Sequence, residues 1–147
     1  MANTNEDESF VRWQGITISQ LGYAVNLILG LAVAALGFVI TLLLNKEFIP
    51  VSWMKCTFSV ALLSLLASIG IGIWCVVNRL RDFRATKEVA RKREKGATDS
   101  ELQPLRDLSG RLGSKTWWLF WWQIGMFGAG IALTVVGIAG VLSGKLL

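Results

Sequence analysis

Residues 116–144 read TWWLFWWQIGMFGAGIALTVVGIAGVLSG and contain no charged residue. Two further stretches, 13–45 and 56–78, are also free of charge, and the three together take 85 of the 147 residues. An α-helix rises about 1.5 Å per residue, so roughly 20 apolar residues are enough to cross about 30 Å of hydrocarbon. The sequence therefore predicts a polytopic membrane protein with three transmembrane helices.

Long, continuous apolar runs favour helices over a β-barrel, whose strands alternate over about ten residues between turns. We predict an all-α fold with a cytoplasmic helical hairpin between transmembrane helices two and three. The predicted segments are, in chain order, a polar N-terminal segment and interfacial lead-in (1–20), transmembrane helix 1 (21–44), a short external turn (45–53), transmembrane helix 2 (54–77), a basic hairpin (78–115), transmembrane helix 3 (116–143) and an external tail (144–147).

The orientation is predicted from charge. Residues 79–115 hold eleven of the fifteen basic residues and six acidic ones, and loops this rich in Lys and Arg are retained on the cytoplasmic side. Three crossings then place the N-terminus in the cytoplasm and the tail outside. We expect a multi-pass protein in the lipid bilayer of the cell membrane, which in a bacterium is the inner membrane. Tryptophan marks membrane interfaces, and the predicted interfacial anchors are Trp13, Trp53, Trp74, Trp117, Trp118, Trp121 and Trp122.

The hairpin is predicted from helix start and stop signals. Residues 78–95 contain neither proline nor glycine, and Gly96 supplies a helix stop. Ser100-Glu-Leu-Gln matches a capping box, which predicts the start of a second helix. Apolar residues recur at helical spacing on both sides of the turn, and we expect them to face inward between two antiparallel helices: Leu80, Phe83, Leu102, Leu105, Leu108 and Leu112.

Eight basic residues follow one another along little more than four turns of the first hairpin helix: Arg79, Arg81, Arg84, Lys87, Arg91, Lys92, Arg93 and Lys95. The simplest interpretation is retention on the cytoplasmic side together with attraction to anionic lipid headgroups, each residue contributing about 1 kcal/mol. A second interpretation is a nucleotide or single-stranded nucleic-acid ligand, because attraction to phosphate needs no fixed motif. A third is a protein partner that docks on the hairpin.

Small and mildly polar residues recur at steps of three or four along transmembrane helix 1: Asn26, Gly30, Ala34, Gly37, Thr41 and Asn45. They share one helical face and allow backbones to approach, so tight helix packing is the first interpretation. A three-helix monomer has little interior. We therefore predict a homo-oligomer, in which this face packs against other helices or lines a central pore.

The composition speaks against enzymatic chemistry. The chain has no histidine, no phosphate-binding Gly-Lys-Ser/Thr loop and no paired carboxylates inside its spans. Its two cysteines are nineteen residues apart, which is about 28 Å along a helix and too far for an intrachain disulfide. We predict no catalytic, cofactor or metal site.

The leading functional hypothesis is a pore or membrane-disrupting effector that the basic hairpin controls. The alternative is a non-conducting membrane anchor or accessory subunit whose hairpin docks a protein partner. In architecture alone the chain resembles small multi-span bacterial effectors of anti-phage defence, which are paired with enzymes that synthesise nucleotide signals. That resemblance implies a cytoplasmic nucleotide sensor and spans that depolarise the membrane, and it assigns no site residue.

Overall fold

The computed structural model describes residues 4–46, 48 and 51–146, and it describes no side chain at 4–15, 17–18 or 144–146. The described residues form helix α1 (Thr4–Leu44), helix α2 (Ser52–Glu94) and helix α3 (Asp99–Leu146), and none of them lies in a strand. Each helix includes a stretch long and apolar enough to cross a membrane. The prediction of an all-α chain with three such helices is confirmed, whereas the orientation stays a prediction.

The helices are longer than the predicted segments. α1 begins at Thr4, inside the predicted lead-in, and α3 runs from the hairpin into its apolar stretch without a break at 116. α2 continues through the hairpin to Glu94, as the absence of proline and glycine from 78–95 predicts. Gly110 and Gly113 do not interrupt α3, because one glycine costs a helix only about 1 kcal/mol relative to alanine. Of the predicted external turn, residues 47, 49 and 50 lie outside the described residues, as does residue 147 of the predicted tail.

Gly96 reverses the chain between α2 and α3. Its φ of 78° lies in the left-handed region that glycine adopts without steric cost. The amides of Gly96 and Ala97 donate to the carbonyls of Arg93 and Lys92 in the last turn of α2, both at 3.1 Å. These bonds satisfy carbonyls that the helix end would otherwise leave without partners. The predicted helix stop at Gly96 is confirmed.

The start of α3 differs from the prediction. α3 begins at Asp99, and the amide of Thr98 donates to Glu101 Oε2 at 3.3 Å. One of the two bonds of a capping box is thus formed at Thr98-Asp-Ser-Glu101, two residues before the predicted box at Ser100. The earlier position is favoured because it puts two carboxylates, Asp99 and Glu101, in the first turn, where they oppose the positive end of the helix dipole.

α2 and α3 pack antiparallel, and most interhelix contacts lie between them. Over the apolar stretch the buried residues of α2 alternate by three and four positions: Met54, Phe58, Ala61, Leu65, Ser68, Gly72, Cys75 and Asn78. The buried residues of α3 have similar spacing: Thr116, Leu119, Gln123, Gly130, Thr134, Gly137 and Val141. Alternation by three and four is the pattern of a coiled-coil seam. We call this pattern the α2–α3 seam.

Glycines of α3 receive large side chains of α2 in this seam. A Cβ at Gly137 would lie 2.7 Å from Phe58 Cζ, and one at Gly130 would lie 2.8 Å from Leu65 Cδ2. Both distances are far below van der Waals contact, so a larger residue at either glycine would force Phe58 or Leu65 to move. Burying apolar side chains contributes little free energy in lipid, because lipid tails are themselves apolar. Close van der Waals packing of this kind is therefore a main source of helix association.

α1 packs less closely and mostly against α2. Its buried side chains are Val25, Ala32 and Val39, which are seven positions apart. Val39 belongs to an apolar cluster toward the turn between α1 and α2, and Val25 belongs to a second cluster nearer the hairpin. α1 thus presents about one fully buried residue every two turns and leaves much of its circumference uncovered.

Three of the six residues predicted to face inward in the hairpin do not, whereas Leu102 is buried as predicted and Leu105 and Leu112 are half-buried. Leu80 and Phe83 are 56% and 49% exposed, whereas Ala85 is buried. Asp82 lies at the contact between α2 and α3 instead, and its Oδ1 accepts a hydrogen bond from Ser109 Oγ at 2.6 Å. The prediction was wrong for Leu80, Phe83 and the exposed Leu108 because the register of the α2–α3 seam continues past Asn78 and sets which side faces α3.

Candidate functional site

Basic side chains surround the hairpin half of α2. Six of the eight predicted residues are exposed, and Lys92 is half-buried: the exposed ones are Arg81, Arg84, Lys87, Arg91, Arg93 and Lys95. At about 100° per residue they spread round the helix rather than forming one groove. None of these seven side chains forms an ion pair with a described carboxylate, the described ion pair being Arg106 with Asp99 at 3.2 Å. Their charge is therefore available to an external anion.

Arg79 does not belong to this outer surface. Its guanidinium lies against Gly22 of α1, in space that any larger side chain at that position would occupy. Its Cζ lies 5.4 Å from the centroid of the Phe83 ring, within the range of a cation–π interaction. The sequence grouped Arg79 with the other basic residues, whereas the structure places it between α1 and α2.

A cavity of about 200 Å³ lies beside Arg79. α1 contributes Leu21, Gly22, Val25 and Asn26 to its lining, α2 contributes Cys75, Val76, Arg79, Leu80 and Phe83, and α3 contributes Thr116. The walls are mainly apolar, and Arg79 is the charged residue among them. We call this space the Arg79 cavity.

Gln123 joins all three helices by polar contacts. Its side chain is fully buried, and Nε2 donates to the carbonyl oxygen of Val25 in α1 at 3.4 Å. The hydroxyl of Ser68 in α2 donates to the backbone carbonyl of Gln123 at 3.0 Å. Gly72 makes room for the amide, because a Cβ there would lie 2.5 Å from Nε2. No described donor reaches Oε1 of Gln123.

A second polar contact fastens α2 to α3 where the charge-free stretches end. Asn78 Nδ2 donates to Leu112 O and to Thr116 Oγ1, both at 2.9 Å. Thr116 Oγ1 in turn donates to Leu112 O at 2.9 Å. Asn78 and Thr116 are buried, so these bonds replace water at the base of the hairpin. We call them the Asn78–Thr116 clamp.

The small-residue face of α1 remains uncovered in the monomer. All six of its predicted members are exposed: Asn26, Gly30, Ala34, Gly37, Thr41 and Asn45. A Cβ built at Gly30 or Gly37 would meet nothing within 4 Å. The hydroxyl of Thr41 donates to the carbonyl of Gly37 at 2.9 Å, within its own helix. Around Gly30 and Gly37 the face therefore does not pack against α2 or α3, whereas Asn26 at its end lines the Arg79 cavity. Packing of the face between copies stays a prediction.

The predicted interfacial tryptophans point away from the helix contacts. Six are about half to two thirds exposed: Trp53, Trp74, Trp117, Trp118, Trp121 and Trp122. The rings of Trp118 and Trp122 lie 5.6 Å apart between centroids. The side chain of Trp13 lies outside the described residues. Outward-facing indoles suit the membrane interface, where their N–H can meet water and their rings can meet lipid.

Sequence reasoning missed a second group of basic residues, which lies on α3. Arg106, Arg111 and Lys115 line a shallow depression together with Trp118. Arg111 and Lys115 are four positions apart and lie on one side of α3, whereas Arg106, five positions before Arg111, is turned about 140° from it. The four-residue spacing of Arg111 and Lys115 is visible in the sequence.

The described residues contain no group of three or more His, Cys, Asp or Glu placed to hold a metal ion. Comparison of the chain with protein-family models, with curated proteins and with solved structures gives no match. The function must therefore be argued from the geometry and chemistry of the residues themselves.

Proposed function

We propose that the protein is a small homo-oligomeric integral membrane protein that acts as a pore or membrane-disrupting effector, controlled by its basic hairpin. The observation that carries the proposal is the uncovered small-residue face of α1. Bare glycines allow helix backbones to approach closely in a membrane. A second copy offers such a face a partner that α2 and α3 do not provide.

The packing of the monomer favours a passage between copies over one through a single chain. Phe58 and Leu65 fill the space over Gly137 and Gly130, and Gln123 fills the space between the three helices. The α2–α3 seam thus contains no continuous polar channel among the described residues. A conducting path would need several copies of α1 arranged around an axis.

The distribution of polar groups along the face suits such a path. Asn26 and Asn45 are nineteen positions apart, or about 28 Å along the helix, close to the thickness of the hydrocarbon core. Between them lie Gly30, Ala34 and Gly37, which have no polar side-chain atoms, and Thr41, whose hydroxyl already donates to Gly37 O within the helix. Amides at both mouths and a narrow apolar middle resemble a pore that gates by dewetting.

The hairpin is the proposed control element, on the cytoplasmic side. Its exposed cations offer a nucleotide or a single-stranded nucleic acid a field of positive charge, and Trp118 beside Arg111 and Lys115 offers a base a surface on which to stack. α2 and α3 connect the hairpin to the membrane stretch without a break. A bound anion would therefore act on helices that continue into the bilayer.

The alternative is a non-conducting anchor or accessory subunit that docks a protein partner through the hairpin. Two observations favour it. The charge-free stretches hold no ionisable carboxylate or amine, which ion-coupled transporters normally place there. α2 also extends about 24 Å beyond Asn78 as a continuous helix, which gives a partner protein an accessible surface.

A matched pair of glycine substitutions tests the pore proposal. Gly37→Leu adds a side chain in open space, so the monomer should keep its stability while oligomers weaken and conductance in planar bilayers falls. Gly137→Leu collides with Phe58, and overpacking of this kind costs about 1–3 kcal/mol of monomer stability. Oligomer size would be measured by light scattering in mild detergent.

The two hypotheses predict different results for the wild-type protein. A conducting oligomer that Gly37→Leu disrupts supports the pore. Wild-type protein that is monomeric in mild detergent and silent in bilayers would leave the anchor hypothesis ahead. A Gly37→Leu variant that assembles and conducts like the wild type would remove the α1 face as the basis of assembly.

A further inference from the structure

We infer that the Arg79 cavity binds one anionic phospholipid, with its phosphate at the guanidinium of Arg79 and the start of an acyl chain against the apolar wall. This site lies between α1 and α2, apart from the exposed basic surface of the hairpin. The inference requires only that the protein lies in a bilayer. It does not depend on conduction or on oligomer formation.

The lining of the cavity has the two chemistries that a phospholipid needs. Arg79 offers a planar, permanently charged group that hydrogen-bonds phosphate oxygens in pairs. Val25, Val76 and Leu80 add aliphatic surface beside it. Asn26 lies on the same rim and adds an amide donor. A basic group above apolar walls between two membrane helices is the arrangement in which lipid headgroups are bound.

The depth of the cavity also fits a lipid phosphate. Arg79 is the first charged residue after the charge-free stretch 56–78. Trp74 lies about one turn before it on α2 and is exposed, and Trp117, next to Thr116 in the cavity lining, is exposed on α3. Tryptophans concentrate at the level of the headgroups. The guanidinium therefore lies close to the plane of the phosphates.

Lipid is favoured over a soluble nucleotide by size and polarity. The cavity measures about 200 Å³, below the roughly 300–1,000 Å³ of pockets that enclose a drug-sized ligand. A nucleotide would place its polar sugar against an apolar wall and leave those hydroxyls without partners, which is unfavourable. A phospholipid places an acyl chain, not hydroxyl groups, against the apolar wall. The rest of that chain continues into the bilayer.

The position of Gly22 ties the site to this sequence. The guanidinium of Arg79 rests on the bare backbone at Gly22, so a larger residue there would displace it. Gly22 thus determines the position of the Arg79 guanidinium. Gly22→Leu should close the cavity while leaving the arginine in the chain.

The experiment measures lipid retention by the full-length protein. The protein, freed of lipid in a neutral detergent at 0.5 M salt, is titrated with phosphatidylglycerol, with phosphatidylcholine or with inorganic phosphate, and bound molecules are counted by native mass spectrometry. High salt shortens the Debye length to a few ångströms and suppresses attraction to the exposed cations. Wild-type protein should retain one phosphatidylglycerol in preference to phosphatidylcholine.

Arg79→Gln is compared with Arg81→Gln, which removes an exposed charge two positions away on the same helix. Loss of a charge-assisted contact should weaken phosphatidylglycerol binding by about tenfold or more for Arg79→Gln, and Arg81→Gln should stay within about twofold of wild type. Equal losses in both variants would overturn the site and assign the binding to the general basic surface. Inorganic phosphate competing as well as lipid would overturn the assignment to a phospholipid.

Gly22→Leu provides a second variant that retains every charge. It should lose phosphatidylglycerol binding, while Gly70→Leu, at a glycine with nothing within 4 Å, should not. Circular dichroism and elution volume identify any variant that no longer folds. If Arg79→Gln or Gly22→Leu does not fold, the other of the two tests the site. Folded Arg79→Gln and Gly22→Leu proteins that both bind like the wild type would refute the inference. Conductance and oligomer size, recorded beside these titrations, report separately on the pore proposal.

Discussion

Replacing Gln123 by methionine should stabilise the folded protein, although it removes a hydrogen bond between helices. The amide Nε2 of Gln123 reaches the carbonyl of Val25 only at 3.4 Å, which is long for an N–H···O bond. Hydrogen bonds between membrane helices contribute about 0.6 kcal/mol on average. The substitution therefore forfeits a contribution at or below that average.

The same substitution removes a buried acceptor that lacks a donor. Oε1 of Gln123 has no hydrogen-bond partner among the described residues, and such a group costs about 1–3 kcal/mol. Methionine has nearly the same length and flexibility and can occupy the space over Gly72. The balance predicts that Gln123→Met gains about 0.5–2.5 kcal/mol of unfolding free energy.

Gln123→Ala is the matched control for packing. It deletes the same polar atoms but leaves a void over Gly72, and truncation of a buried long side chain to alanine costs about 2–5 kcal/mol. We expect the alanine variant to be less stable than the methionine variant by that amount. The assay is unfolding in mixed micelles with increasing sodium dodecyl sulfate, followed by circular dichroism. A loss of more than about 1 kcal/mol in Gln123→Met would mean that Oε1 finds a donor in the membrane, and would refute the reasoning.

Two further predictions concern the hairpin and the topology. Replacing Arg91, Lys92 and Arg93 by Gln should weaken oligonucleotide binding. The slope of log K against log salt concentration should fall in magnitude by about 1.4, because Lys92 is half-buried and two phosphate contacts are therefore lost. Wild-type binding to anionic vesicles alone would contradict a soluble ligand. In a cysteine-free background, an impermeant thiol reagent applied to intact cells should label a cysteine at Ser143 and not one at Gly110, both exposed positions; the reverse pattern would invert the orientation.

The three membrane-spanning stretches and the reversal at Gly96 were predictable because their signals are local. A run of uncharged residues is read directly from the chain, and a glycine that follows a long stretch without proline or glycine is a common helix stop. The start of α3 was missed by two residues because two overlapping segments, beginning at Thr98 and at Ser100, both resemble a capping box. The carboxylates of the first turn distinguish them.

Local apolarity predicted the buried Leu102 but not the side of α2 that faces α3 in the hairpin. Leu80 and Phe83 are large apolar residues and yet are exposed, whereas the half-buried Asp82 contacts Ser109 of α3. The register of two long helices is set by the whole seam, including Phe58 over Gly137 at its far end. A short window of sequence does not contain that information.

The candidate site depended on a contact between distant parts of the chain. Arg79 was expected on the outer surface because it begins a dense basic run. It turns toward α1 because Gly22 leaves room for it, and nothing in the sequence pairs the two positions. Its position at the end of the charge-free stretch can be read from the sequence, whereas its neighbour across the helix interface cannot.

The unbroken α2 and α3 helices form two long arms that run from the turn at Gly96 into the membrane stretch. No flexible joint separates the tip near Gly96 from the membrane stretch, and the Asn78–Thr116 clamp holds the arms together at the base of the hairpin, where a pivot would be. The outer arm is about 24 Å long. A molecule that moved α2 and α3 together or apart at the turn near Gly96 would transmit that movement past the Asn78–Thr116 clamp, to the end of the seam where Phe58 packs over Gly137.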